Sequence, residues 1–253
     1  MIVACSEPRE RTLEAMLYAM PPAMARRYVA RYRPEFVGNL RALRRRTTHH
    51  GKSLRGYDAN ACIFVRIPKC ASQSVATSLF GNRGGGHTEI WKYRLVFDEA
   101  DFAAYFKFAF VRNPWDRLLS AYRFLCRGGF DHWDQQFYAE NLAHFTDFGD
   151  FVRRWVTPAR VRTWIHFRPQ VEFVCDATGA ILVDFVGRYE TLQDDFDVVA
   201  RRLQRTATLG HVNTSHRAHQ DYRAAYADDT AAIVEAVYVQ DIGRFGYQFD
   251  PAP

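Results

Sequence analysis

Cys62-Ile63-Phe64-Val65-Arg66-Ile67-Pro68-Lys69-Cys70-Ala71-Ser72-Gln73-Ser74 opens the part of the chain whose grammar decides the fold. Cys62 to Ile67 is a short apolar run rich in β-formers and reads as a strand. Val75-Ala76-Thr77-Ser78-Leu79-Phe80 continues as a helical stretch, so a loop of small residues joins strand to helix. The same grammar returns twice: Tyr105 to Val111 (YFKFAFV) and Ile181 to Val186 (ILVDFV) read as strands, each followed by a helical pattern. Strands separated by helices imply parallel pairing through right-handed crossovers, hence an α/β layered sheet. Ligands of such sheets bind beyond the carboxyl ends of the strands, so the residues just after each strand carry the functional information.

Outward from this region, composition bounds the answer. The chain has 253 residues, 48% hydrophobic and 25% charged, which excludes disordered and fibrous classes and suits one α/β domain with an appendage. The formal charge is +6, but residues 1–57 hold 12 Lys and Arg against 4 Asp and Glu, and the remainder 22 against 24. The basic surplus thus lies in the N-terminal segment, from Arg26-Arg27 through Arg44-Arg45-Arg46, and any anion site in the body must be local. The change of character near residue 58 divides the chain into a basic helical arm, 1–58, and a domain, 59–253. In the arm, Leu13, Met16, Leu17 and Met20 have helical spacing. Pro21-Pro22 interrupts it, and Met24, Tyr28, Tyr32, Phe36, Leu40 and Leu43 resume it, which predicts two helices. The arm is either an amphipathic element for an anionic membrane surface or polyanionic acceptor, or a helical arm packed on the body with solvated arginines.

Five cysteines, Cys5, Cys62, Cys70, Cys126 and Cys175, form an odd set with no C-x-x-C pair. They match neither a disulfide framework nor a zinc site and fit a reducing compartment. The first apolar run is too short for a secretory leader, and no stretch approaches the roughly 20 apolar residues of a spanning helix. The expected location is the cytoplasm, with peripheral membrane contact through the arm.

Two loops carry the chemistry. After the first strand, the unpaired amides of a helix start, small residues such as Ala71, Ser72 and Ser74, and the mobile charge of Lys69 suit a phosphate. The same stretch taken alone also reads as an ordinary turn with a capping serine. It is not a Walker A loop, since G-x-x-x-x-G-K-[ST] is absent. After the second strand comes Phe110-Val111-Arg112-Asn113-Pro114-Trp115-Asp116-Arg117-Leu118-Leu119-Ser120-Ala121-Tyr122. Asn113 suits an N-cap and Pro114 the first helical position, placing Arg112 at the strand tip. An Arg–Ser pair such as Arg112 and Ser120 is apt for a phosphate monoester, the guanidinium binding two oxygens and the hydroxyl a third.

Together the loops resemble those of sulfotransferases that use 3′-phosphoadenosine 5′-phosphosulfate (PAPS). IPKCASQS is similar to their 5′-phosphosulfate loop and FVRNPWDRLLSAY to their 3′-phosphate motif. The closer resemblance is to the carbohydrate branch, family 2, with the chondroitin, dermatan and uronyl 2-O enzymes and their bacterial-type relatives. Asp184 to Leu192, His211 to Ser215, and Tyr238-x-x-Asp241-Ile242-x-x-Phe245-Gly246-Tyr247 extend it over about residues 60 to 250. Cys70 stands where many relatives have Thr, and Asn113 where animal members often have Asp.

The resemblance implies a three-layer, P-loop-like α/β fold with a central parallel sheet flanked by helices, and PAPS as cofactor with PAP as product. Backbone amides of Cys70, Ala71, Ser72, Gln73 and Ser74, with the Ser72 and Ser74 hydroxyls, would hold the 5′-phosphate. Lys69 would reach the oxygen bridging phosphate and sulfate. Arg112 and Ser120 would take the 3′-phosphate, and Ser215 and Arg217 belong to the family's late cofactor-contacting loop, Arg217 reading equally as a solvated cation. Sulfuryl transfer needs alignment and charge neutralisation, and a base for the acceptor hydroxyl. His87, in GGGHTEIW, is the base, because relatives often carry a His-Thr segment there; neutral histidine suits the task near neutral pH. The preceding glycines admit close acceptor approach or loop closure.

Glu89 is the alternative base, and His87, Glu89 and Arg168 are the expected acceptor contacts. In the segment HFRPQVEF, His166, Arg168 and Gln170 either meet a substrate or brace the fold. His211, His216 and His219 lack a zinc pattern, and no metal is expected. The aromatic residues of 127 to 170 supply core, with some left to stack on sugar rings. The reading is therefore O-sulfation of a saccharide or glycolipid, with no nucleic-acid partner. Its rivals are sulfation of a small alcohol or phenol, and a noncatalytic nucleotide- or polyanion-binding module worked by the arm.

Overall fold

Three of the apolar runs become strands: β1 (Cys62–Val65), β2 (Phe106–Val111) and β3 (Phe185–Arg188). They pair in parallel in the order β1-β2-β3, with Cys62 opposite Phe106 and Phe108 opposite Phe185. Every residue of β1 is buried, and all but the first of β2, as expected where helices cover a parallel sheet. Phe64 stacks on Phe108 with ring centroids 4.7 Å apart. Gly187 in β3 leaves room for Phe110, whose ring would lie 2.7 Å from a Cβ there. The fold is thus α/β, a parallel sheet flanked by helices, as the resemblance implied.

The computed structural model describes residues 8–47, 51–210 and 221–250. They fall into two compact units, one from Ser6–Val111 with Gln170–Thr214, the other from Arg112–Pro169 with Ser215–Pro253. The first holds the sheet, the helices Ser72–Phe80, Ile90–Val96, Glu99–Ala104 and Leu192–Arg202, and the arm. The second is helical. In it Pro114–Cys126, His132–Asn141, Phe148–Trp155 and Asp228–Val237 surround a core that includes Trp115, Leu119, Phe151, Trp155, Phe167 and Tyr238.

Two expectations are corrected. The third strand starts at Phe185 rather than Ile181. Ile181 instead makes an isolated antiparallel bridge with Cys175, beyond a turn in which Asp176 accepts from the amides of Thr178 and Ala180. Parallel pairing begins only after Asp184, whose carboxylate accepts from the Lys107 amide at 2.7 Å and meets its ammonium at 3.1 Å. In place of two helices, residues 8–45 form three α-helices, Pro8–Ala19, Pro22–Tyr32 and Gly38–Arg45, because Pro34 stops the second, and a short fourth, Arg55–Ala59, closes the arm. Over residues 12–45 the buried positions are Leu17, Ala25, Val29 and Val37, whereas Met24 and Tyr32 are exposed. Small Ala25 and Val29 let this helix approach Ile90–Val96 closely, which a Met–Tyr stripe could not. No helix among the described residues is long and apolar enough to cross a membrane.

Candidate active site

The turn after β1 is held in a conformation that L-residues rarely adopt. Lys69 has φ +68° and Ala71 φ +53°, both left-handed, with no glycine to relieve them. Non-glycine residues in this region cost on the order of 1 kcal/mol each and persist where the surroundings impose them, often at ligand-binding turns. Ala71 is the N-cap of the Ser72–Phe80 helix and has no side chain to cap it. The first turn therefore presents amide donors and the positive end of the helix dipole beside buried Ser72 and Ser74. Successive amides in an alternating turn of this kind form an anion-binding concavity.

Cys70 contributes backbone, not side chain. It is 0% exposed, and its thiol donates to Gln170 Oε1 at 3.3 Å. Gln170, itself buried, thus braces the turn. Of the two readings open for it, the structure selects the structural one.

His87 follows a loop held by packing and by hydrogen bonds. Gly84 and Gly85 lie against Tyr57 and Tyr93, so a Cβ on Gly85 would fall 2.3 Å from the Tyr93 hydroxyl. The Gly85 amide donates to Lys52 O at 3.1 Å, and Thr88 Oγ1 donates to Gly85 O at 3.0 Å. Gly84 and Gly85 serve close packing, whereas nothing lies within 4 Å of a Cβ on Gly86. His87 Nδ1 lies 2.8 Å from the carbonyl oxygen of Arg66. A carbonyl only accepts, so Nδ1 carries the proton and the lone pair of the neutral ring resides on Nε2.

The Arg66 guanidinium is buried beneath the same loop, its Nη1 3.5 Å from Gly84 O. Burial lowers its pKa, opposed by Tyr57 and Tyr93. Glu89 is also buried, and its carboxylate meets Lys92 Nζ at 3.2 Å, which Glu14 contacts at 2.9 Å. Burial alone would lower the Lys92 pKa, but the two carboxylates raise it overall. A carboxylate committed to a half-buried ammonium is a poor base, which counts against Glu89 in that role.

Arg112, Ser120 and Arg168 belong to the second unit. As expected, Asn113 caps the Pro114–Cys126 helix, accepting from the Trp115 amide at 3.1 Å, with Pro114 as its first residue. Its amide group also donates to Gln248 O at 2.9 Å and to the Tyr222 hydroxyl at 3.1 Å. Arg112 Nε donates to Asp116 Oδ2 at 2.8 Å. Asp116 and Ser120 are four residues apart on one helix, hence on one face, and Ser120 is half-buried. Arg168 is half-buried. Ser215 and Arg217, with His211, His216 and His219, lie outside the described residues.

Other expected contacts prove structural. His166 Nε2 pairs with Asp134 Oδ1 at 3.2 Å, both buried. Phe137, Phe145, Phe148 and Trp155 are core, while Phe130 and Trp133 remain exposed. Not all of the arm's arginines are solvated. Arg26 donates to Arg94 O at 2.9 Å, and Arg44 binds Asp58 at 2.8 Å and Asp101 at 2.5 Å. Sequence reasoning missed the partner of His87, and no side-chain signal could have found it, because it is a backbone carbonyl.

The pattern that defines the sulfotransferase family matches residues 54–248. The chain is 36% identical over 107 residues to carbohydrate sulfotransferase 14 of Homo sapiens, an alignment covering 38% of this chain and 28% of the relative's length. No solved structure matches.

Proposed function

Because the chain belongs to the sulfotransferase family, we propose that it transfers the sulfuryl group of PAPS to a hydroxyl of a saccharide or glycolipid acceptor. The observation that carries the reading is the Lys69–Ser74 turn, where two left-handed non-glycine residues lead into an uncapped helix start. Such strain is retained where a ligand is gripped, and its donor set fits a phosphate.

When bound, PAPS supplies an activated sulfuryl group whose sulfur–oxygen bond to the 5′-phosphate breaks as PAP leaves. The amides of Cys70 to Ser74 and the Ser72 and Ser74 hydroxyls hold the 5′-phosphate. Lys69 neutralises charge on the bridging oxygen. Arg112 and Ser120 take the 3′-phosphate, whose presence separates this cofactor from ordinary adenylates; the sequence adds Ser215 and Arg217. His87 Nε2 accepts the proton of the acceptor hydroxyl, while Nδ1–H stays on Arg66 O and steadies the imidazolium that forms. Arg168 is assigned to the acceptor. The odd cysteine set supports a reducing, cytoplasmic setting.

Calorimetric titration with PAP and AMP tests the cofactor, and labelled PAPS with a panel of saccharides tests the acceptor. PAP is expected to bind in the micromolar range and AMP far more weakly, with Arg112→Ala removing the difference. His87→Ala should abolish turnover and leave PAP affinity within about twofold. Absence of PAP binding by the folded protein refutes the cofactor, and retained turnover in His87→Ala refutes the base.

A further inference from the structure

The Arg112 side chain is held by a carboxylate at the place where an anion is to be bound. Its Nε donates to Asp116 Oδ2 at 2.8 Å, an i, i+4 pair with the guanidinium mostly buried. On charge alone this is unfavourable for a phosphate site, since Asp116 cancels the cation that the phosphate needs. On geometry it is favourable. A guanidinium is a planar fork on a long flexible chain, and a charged hydrogen bond at Nε fixes its plane and rotation. The same helix face carries Ser120 one turn further on. Asp116 therefore ties the guanidinium to the helix that carries the Ser120 hydroxyl.

We infer that Asp116 is a positioning residue for the 3′-phosphate: it orients Arg112 through Nε so that Arg112 and Ser120 present matched donors to one phosphate monoester. The inference rests on the cofactor reading above. Charge and geometry predict opposite signs, which makes the point decidable. If Asp116 only neutralised Arg112, its removal would tighten the binding of a 3′-phosphate. If it positions Arg112, its removal weakens that binding and an isosteric acceptor restores it.

The experiment is calorimetric titration of PAP and AMP against wild type, Asp116→Ala, Asp116→Asn and Arg112→Ala, with the double variant of Arg112→Ala and Asp116→Ala closing a cycle. Asp116→Ala should weaken PAP about tenfold and leave AMP unchanged. Asp116→Asn, whose amide oxygen still accepts from Nε, should recover most of the loss. In the Arg112→Ala background the Asp116→Ala change should have no further effect.

An unchanged ratio of PAP to AMP affinity in Asp116→Ala, or tighter PAP binding, overturns the inference alone. So does an equal loss for both nucleotides, which marks a fold role. If wild type fails to prefer PAP over AMP, the cofactor reading falls and this inference with it. Should Asp116→Ala fold poorly, Asp116→Asn and Asp116→Glu keep the question open to refutation. The longer Glu side chain shifts the guanidinium and is expected to lower the preference for PAP.

Discussion

Gly85 shows how far one residue's environment can be from its textual appearance. A run of three glycines before a histidine reads as slack, yet Gly85 sits at φ +66° with the Tyr93 hydroxyl and a Leu54 methyl where a Cβ would go. Gly85→Ala should therefore cost about 2–4 kcal/mol, from left-handed strain plus overpacking, and lower the melting temperature by roughly 5–15 °C. Gly86, at φ +75° but with open space around it, should cost only about 1 kcal/mol as alanine. Thermal melts of the two variants compare packing with conformation directly, and equal losses would contradict the packing account. The sequence could single out His87 as a candidate only by its place among the motifs. Its tautomer was not legible, because it depends on the Arg66 carbonyl, and every residue has a carbonyl.

At the scale of elements, β1 and β2 were legible to within two residues because their runs are rich in β-formers and each holds a single charge, Arg66 or Lys107. β3 was not, since Ile181 to Val183 are as apolar as a strand and only the Asp184–Lys107 contacts show where pairing starts. The arm misled in a different way. Spacing showed helices but not their number, and in Pro22–Tyr32 it chose the wrong stripe, because the packed side is lined by Ala25 and Val29 and small residues weigh little in a hydrophobic pattern.

The cap of the Pro114–Cys126 helix was read correctly and proves to do more than cap. Asn113 accepts from Trp115 N and donates to Gln248 O, which an aspartate cannot do. Asn113→Asp, the residue of many animal relatives, should thus keep the helix start but place a carboxylate against a carbonyl. A loss of about 2–4 kcal/mol in urea unfolding is the expected outcome, and a neutral substitution would show that the donor role is dispensable.

At the scale of the whole molecule, stability should depend on acid through a group that no motif announced. Burial tends to raise the Asp134 pKa, but His166, the Phe130 amide and the Trp164 indole overrule it and hold the carboxyl below its ordinary range. A depressed carboxyl pKa adds stability that is present above the unfolded value of about 3.9 and is lost as pH falls through the folded value. Melting temperature should accordingly drop as pH is taken below about 4. Asp134→Asn should be less stable at pH 7 and show a shallower acid limb; an unaltered limb would assign the acid sensitivity elsewhere.

The first unit carries one further consequence. The Cys70 thiol, sealed in the turn by Gln170, has no route to solvent in the folded chain. Its alkylation must wait for the turn to open, so the labelling rate of this one sulfur is a clock for local unfolding. A ligand that grips the turn would slow that clock in proportion to its occupancy, and a buried atom would become the reporter of a surface event.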